Sequence, residues 1–302
     1  VLMKKALKEN KNLKIKQDLD DPLLKLIAEK GIDHEIKLLK KLKAKYDNTV
    51  TINNDKPEIM IAATLSAMES GTDLIYQAAL SNDQFFGKPD FLIKIDGNSK
   101  FGDYQYKVLD AKLAKHLKPE YILQLCCYSE LLEHTQGNIF EVAQIYLGND
   151  SYEDIKINDF YVFYQKIKDK FIKDMQSVAS EPPSPDHFTQ WGAFSEYAES
   201  YFKEHDHLIQ LPDIRQSQIK KLHQAKIMSI NDLLDTSIDR VYGMDQHVFK
   251  RLKNQAEMHV KTLNAGSIQY KVLDDCEKGL GLYSLPPKSS LDIYFDIESN
   301  PF

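Results

Sequence analysis

The stretch from Phe86 to Tyr128 constrains the fold most, because it spells a strand, a turn, a second strand and a helix with charged residues at set places in each. Gly87-Lys88-Pro89-Asp90 leads into an apolar run, Phe91-Leu92-Ile93-Lys94-Ile95. Asp96-Gly97-Asn98 is a turn signal, answered by a second strand-like run from Tyr104 to Lys112, so a β-hairpin turning at 96–98 is expected. Strand side chains alternate with a period of two, which puts Asp110 and Lys112 on one face. Pairing across the hairpin can bring Asp90 beside them. Pro119 then opens a helical stretch reaching Glu133, on which Gln124 and Tyr128 lie four apart and share a face.

Two carboxylates and an amine converging at one strand end suit a particular chemistry. A hard divalent cation takes oxygen ligands, neutralises charge building on a phosphate and acidifies a bound water. A lysine beside it can orient or deprotonate that water. A single Asp-x-Lys on a surface strand is more often a solvated pair, and Tyr128 alone would be read as a core aromatic. The ordered set is what raises both above the bland reading.

Gly87-x-Pro89-Asp90, the Asp110-x-Lys112 strand and Gln124-x-x-x-Tyr128 on a helix together resemble the PD-(D/E)xK nucleases of the RecB type. The resemblance implies a metal-dependent nuclease in which Asp90, Asp110 and the carbonyl of Ala111 ligate Mg²⁺ or Mn²⁺. Lys112 would handle the water, and Gln124 and Tyr128 would orient metal-bound groups or substrate. Such nucleases carry an upstream histidine, and His34 fits that slot in Gly31-Ile32-Asp33-His34-Glu35, read as the opening of a lysine-rich amphipathic helix with Leu38, Leu39 and Leu42 on its apolar side. The likeness extends through Asp21-Pro22-Leu23-Leu24, residues 64–80 and Asp206-His207-Leu208 to Asp292-Ile293-Tyr294-Phe295-Asp296-Ile297-Glu298. This layout is similar to RecB-like nucleases joined to an RNase H-like exonuclease domain, some of which carry a superfamily 1 helicase. Asp296 and Glu298, on a strand expected at 291–297, would begin a second, incomplete metal site.

The formal charge of −6 looks wrong for a partner of nucleic acid, whose binding is largely electrostatic, but its distribution matters more. Residues 1–46 hold 13 Lys, no Arg and seven acidic residues, a surplus of six positive charges that leaves −12 on the remaining 256. Lys37, Lys40, Lys41 and Lys45 are therefore candidates to track a phosphate backbone, against the plainer possibility of a solvated helix face.

Cysteine usage is sparse. Cys126, Cys127 and Cys276 make neither a disulfide framework nor a CxxC site, and related nucleases often hold an iron–sulfur cluster on four thiolates just after the core. Here that region reads Pro185-Asp186-His187-Phe188-Thr189-Gln190-Trp191-Gly192, so no cluster is expected. Cys126 and Cys127 are read as small core residues, and Phe188, Trp191, Phe194 and Tyr197 as aromatic packing in the cluster's stead.

Further along, Phe140 to Leu147 reads as a strand and Phe160 to Val178 as a helix. Pro182-Pro183-Ser184-Pro185 breaks the pattern. The stretch from Leu211 through Ser229, an expected N-cap, to Leu234 resembles a helix-hairpin-helix module, although Lys226 stands where a phosphate-gripping hairpin would carry glycine; a small packing domain would read the same. Gln246 to Leu263 forms another amphipathic helix. Gly279, Gly281, Pro286 and Pro287 mark a connector.

The expectation is an α/β chain: a nuclease core at 1–180, a connector with a degenerate iron–sulfur region at 181–207, a helical region at 208–265, and a connector with the first strand of an RNase H-like domain at 266–302. Val1-Leu2-Met3 runs straight into a helical pattern, as if continuing a longer chain. With no apolar run of about eighteen residues and no secretory pattern, membrane insertion is not expected and a cytoplasmic location is. DNA, single-stranded or at duplex ends, is the expected partner. The competing readings are a catalytically degraded nucleic-acid-binding module that feeds a strand to an exonuclease or helicase, and a purely structural scaffold.

Overall fold

The structure is a computed structural model that describes residues 1–18, 21–53, 56–138, 141–177, 181–187, 190–272 and 284–296. The chain divides into two compact units, residues 1–187 and 188–302.

The first unit is mixed α/β. In chain order it comprises α1 (Leu2–Glu9), α2 (Pro22–Lys43), β1 (Thr49–Thr51), α3 (Pro57–Glu69), β2 (Leu74–Tyr76), β3 (Leu80–Ser81), β4 (Phe86–Gly87), β5 (Phe91–Ser99), β6 (Gly102–Lys112), α4 (Pro119–Gln136), β7 (Val142–Leu147), β8 (Tyr152–Lys156) and α5 (Ile157–Ser177). Six strands form one sheet in the order β1-β2-β5-β6-β7-β8, and β3 and β4 make a small ribbon beside it. The pairs β1/β2 and β6/β7 are parallel; β2/β5, β5/β6 and β7/β8 are antiparallel.

Alternation sorts this sheet into two buried faces. Leu74, Phe91, Ile93, Leu109 and Tyr146 pack with Leu38 and Leu42 of α2. Their neighbours Ile75, Leu92, Val108 and Ile145 pack with α3, α4 and α5 through Met60, Met68, Leu125, Leu131 and Tyr164. Burying both faces demands the near-continuous apolar runs that these strands carry. Cys126 is fully buried in the second layer, as a small apolar side chain is placed.

Two local expectations change. Asp96-Gly97-Asn98 is not the hairpin turn. Register shifts between Asp96 and Ser99, and the chain reverses between Ser99 and Gly102. Gly97 takes φ +149, and a Cβ there would lie 2.2 Å from Nε2 of Gln105, so this glycine serves a bulge, the other device that needs a residue without a side chain. The lysine-rich helix starts at Pro22 rather than Gly31: Asp21 caps it by accepting from the amide of Leu23 at 2.8 Å, Pro22 occupies the first turn, and Gly31 is carried in the interior at modest cost. The strand expected from Phe140 and the helix expected to Val178 are present from Val142 and to Ser177; Phe140 and Val178 lie outside the described residues.

The second unit is helical: α6 (Ser195–Glu204), α7 (Gln216–Gln224), α8 (Ile230–Asp235) and α9 (Gln246–Ala265). Leu208, Leu211, Ile219, Leu222, Ile227, Ile230, Leu233, Phe249 and Leu252 form its own core. The expected connector at 181–207 is thus partly a helix, α6, whose Phe202 meets Trp191 edge-on at 5.4 Å and His207 at 4.7 Å. Phe194 is buried nearby, Tyr197 is half-buried, and Phe188 lies outside the described residues. Ser229 caps α8 as expected, accepting from the amide of Asp232 at 3.0 Å.

Over its described residues, 291–296, the strand expected at 291–297 is not present. Residues 291–296 are irregular, with Leu291, Ile293, Tyr294 and Phe295 all more than three-quarters exposed. An extended segment becomes a strand only by pairing, and among the described residues none pairs with it. Ile297, Glu298, Cys276, Gly279 and Gly281 lie outside the described residues. Among the described residues no helix is long and apolar enough to cross a membrane.

Candidate active site

Asp90 stands immediately before β5, where Pro89 fixes the approach of the chain, and Gly87 permits it. A Cβ on Gly87 would lie 2.8 Å from Leu131 and 2.9 Å from the ring of Tyr128, so the strand entering the site passes α4 closer than any side chain allows. Asp90 Oδ2 accepts a hydrogen bond from the amide of Ala111 at 2.8 Å. That bond ties the first carboxylate to the strand bearing Asp110 and Lys112.

Asp110 is 2 % exposed and ion-paired through Oδ2 with Nζ of Lys112, itself one-fifth exposed. Both project toward α4, since Leu109 between the faces belongs to the α2 layer. There Lys112 Nζ sits 5.5 Å over the ring of Tyr121, and Gln124 Nε2 donates to the hydroxyl of Tyr128 at 2.7 Å. Burial, then the charge of Asp110, pushes the Tyr128 phenol up, so it stays a hydroxyl. Asp90, Asp110, Lys112, Gln124 and Tyr128 are therefore brought to one end of the sheet.

Burial first, then the charges of Asp110 and Glu35, pushes the carboxyl of Asp90 up to about 8. The Ala111 amide and Lys112 pull the other way and lose. Carboxylates gathered in low dielectric without enough positive charge hold a proton. Glu35, the residue after His34, is the group that sequence reasoning missed. It accepts from Nε2 of Gln77, and it hydrogen-bonds the hydroxyl of Tyr76, whose pKa burial and then Glu35 raise to about 12. Its signal was adjacency alone: nothing in the sequence tells that His34 and its neighbour both reach toward the strand ends.

His34 is 8 % exposed and stacks on Tyr146 with centroids 4.9 Å apart and planes 13° from parallel. Tyr146 is the register partner of Ala111. The Nε2 of His34 is buried with no hydrogen-bond partner, an unpaid polar atom. The imidazole approaches from the α2 layer while Asp110 faces α4, and among the described residues no three His, Cys, Asp or Glu side chains are close enough to hold a metal ion as they stand.

The four candidate lysines separate into two pairs. Lys37 and Lys41 contact Asp150 at 3.2 and 3.3 Å, and Lys41 also donates to the Tyr146 hydroxyl at 2.6 Å. Lys40 and Lys45 are exposed, Lys45 lying over Tyr46 at 5.2 Å. In the second unit Lys226, between α7 and α8, has φ +63, the left-handed conformation that favours glycine. Asp296 is exposed in the irregular segment, and its partner in sequence, Glu298, lies outside the described residues.

No protein-family model matches this chain, and no curated protein matches it.

Proposed function

We propose that residues 1–187 are a divalent-metal-dependent nuclease core of the PD-(D/E)xK, RecB-like kind, hydrolysing phosphodiester bonds in DNA. The observation that carries this reading is the bond from the Ala111 amide to Asp90, which joins the two halves of the motif at the strand end where Asp110 and Lys112 sit. A buried carboxyl pushed up among other carboxylates, and a buried imidazole nitrogen without a hydrogen-bond partner, are groups whose chemistry suits a divalent cation. Asp90, Asp110, the Ala111 carbonyl and His34 would hold Mg²⁺ or Mn²⁺. When bound, such an ion neutralises charge on the phosphate and acidifies a water.

The chain's own groups then have distinct tasks. Asp90, whose carboxyl is pushed up, would have to release its proton to hold a cation. Lys112, kept in place by Asp110 and the Tyr121 ring, orients the attacking water and handles its proton at Nζ. Tyr128, kept neutral and fixed by Gln124, donates a hydrogen bond toward a phosphate oxygen. Lys40 and Lys45 offer the freest charge to a backbone outside the site.

The absence of a closed set of ligands among the described residues favours a second reading, a nucleic-acid-binding module without turnover. A labelled single strand incubated with Mn²⁺ or Mg²⁺, with EDTA as control, separates them: the nuclease reading expects metal-dependent cleavage that Asp110→Asn abolishes while DNA binding persists. Binding without cleavage across strand types selects the second reading, and equal cleavage by wild type and variant exposes a contaminant.

A further inference from the structure

Gln77 and Asp150 are the described non-glycine residues of the first unit with left-handed backbone, and Gln77, φ +56, is the unexpected one. Asp side chains relieve that conformation by bonding locally, and three of the five described non-glycine residues with positive φ are Asp. Glutamine has no such habit, so something around it holds it there. Its amide donates to the carbonyl of Asp90 at 2.7 Å, continuing the β2/β5 ladder one step past the paired Tyr76 and Phe91. Its side chain does something different. Leu74 and Tyr76 pack on the α2 layer, so a continued strand would send residue 77 to the opposite face. The left-handed turn breaks that alternation, and the side-chain amide instead reaches Glu35 on α2. The following residues are locked as well: Ala78 and Ala79 are buried, and the Ala79 amide donates to Thr64 Oγ1 at 2.9 Å.

We propose that Gln77 is the positioning residue of this site, its backbone fixing Asp90 while its side-chain amide delivers Glu35 to the same strand end as a further carboxylate toward the cation. The inference rests on the nuclease reading and adds to it a residue on a separate element. It makes the metal environment depend on α2 docking against the end of β2, not on the hairpin alone. Gln77 touches no substrate; it acts through the main chain of Asp90 and the carboxylate of Glu35, as groups behind metal ligands generally do.

Mn²⁺ alone is the probe, titrated into the full chain and followed by the paramagnetic signal of the free ion. Gln77→Gly keeps the left-handed backbone accessible and removes the side chain that reaches Glu35. Mn²⁺ affinity is expected to fall about 10- to 100-fold, the usual effect of losing such a supporting bond, while the melting temperature in EDTA stays put. Glu35→Gln should give a similar loss, and the double variant little more than either single one, because the two residues act as one unit. Unchanged affinity in Gln77→Gly and Glu35→Gln, with Asp110→Asn still abolishing binding, overturns the positioning role and leaves the nuclease reading standing. A loss in Gln77→Gly matched by a drop in EDTA melting and absent from Glu35→Gln makes Gln77 merely structural and overturns it too. Wild-type chain that binds no Mn²⁺ removes both.

Discussion

Asp110-Ala111-Lys112 and Asp296-Ile297-Glu298 have the same spacing, an aspartate with a second charged residue two positions on, yet the two aspartates end in opposite physical circumstances. Asp110 is buried on a central strand with β5 on one side and β7 on the other, and its neutralising lysine is fixed by an aromatic ring. Asp296 is exposed on an irregular segment. Spacing supplies a pair of charges; only a sheet converts the pair into a site, because strand pairing sets direction and burial sets the field. The two regions therefore predict different responses to small changes in chemistry.

The largest effect is expected from Lys112→Met. It leaves the carboxylates in place, so divalent-ion binding should persist while turnover falls by about 10²- to 10⁴-fold, the range for a group that handles a proton. Single-turnover cleavage with saturating Mn²⁺ measures it, and a loss of metal binding equal to that of Asp110→Asn would mean that the lysine's role is to hold the carboxylate.

Gly87→Ala tests whether close packing, and not charge alone, builds the buried region. The added methyl meets Tyr128 and Leu131 inside 3 Å, and overpacking of this kind costs about 1–3 kcal/mol. Urea unfolding of the wild type and variant gives the number. No destabilisation would mean that β4 and α4 slide apart freely.

Proton linkage at Asp90 comes next. Its folded pKa is raised from 3.8 to about 8, so the folded state holds a proton that the unfolded chain releases. Stability from this source is complete below about pH 4 and is lost as pH rises through about 8. Metal-free protein should melt lower at pH 8.5 than at pH 5.5, and Asp90→Asn should flatten the dependence. A wild-type profile rising with pH over that interval would place an ionised Asp90 in the apo fold.

Charge at the surface should matter less and unevenly. Lys40→Gln with Lys45→Gln should flatten the salt dependence of DNA binding more than Lys37→Gln with Lys41→Gln, since the latter lysines already face Asp150. Each lysine removed from a phosphate lowers the slope by about 0.7–0.9. Equal slopes for both pairs would mark the helix as a solvated face. Last, Asp296→Asn should leave Mn²⁺ affinity unchanged and stability within about 0.5 kcal/mol of wild type.

The hairpin and α4 were legible because alternation and a proline at a helix start are local signals. Gly97 misled because Asp-Gly-Asn satisfies a turn and a bulge equally, and only the partner strand distinguishes them. Gly31 misled because a helix tolerates one glycine when its cap lies ten residues earlier, at Asp21. Asp90, Asp110, Lys112, Gln124 and Tyr128 could be grouped from order alone. Glu35 and Gln77 could not: their meeting depends on a left-handed residue and on a helix laid across strand ends, neither of which leaves a periodic trace.

Helix α4 is moored fore and aft. Near the acidic end Gly87 presses on Tyr128; at the other end the Lys100 amide donates to the carbonyl of Gln136 at 2.9 Å and Asn138 donates to the carbonyl of Asn98 at 3.0 Å. The loop leaving β6 is held too, where the amide of Gly148 donates to the carbonyl of Ala114 at 3.0 Å. Between those moorings lies Lys115-His116-Leu117-Lys118, all exposed. Whatever a bent or bulky ligand asks of this end of the sheet, the helix and the hairpin have little slack to give, and the give has to come from those four residues.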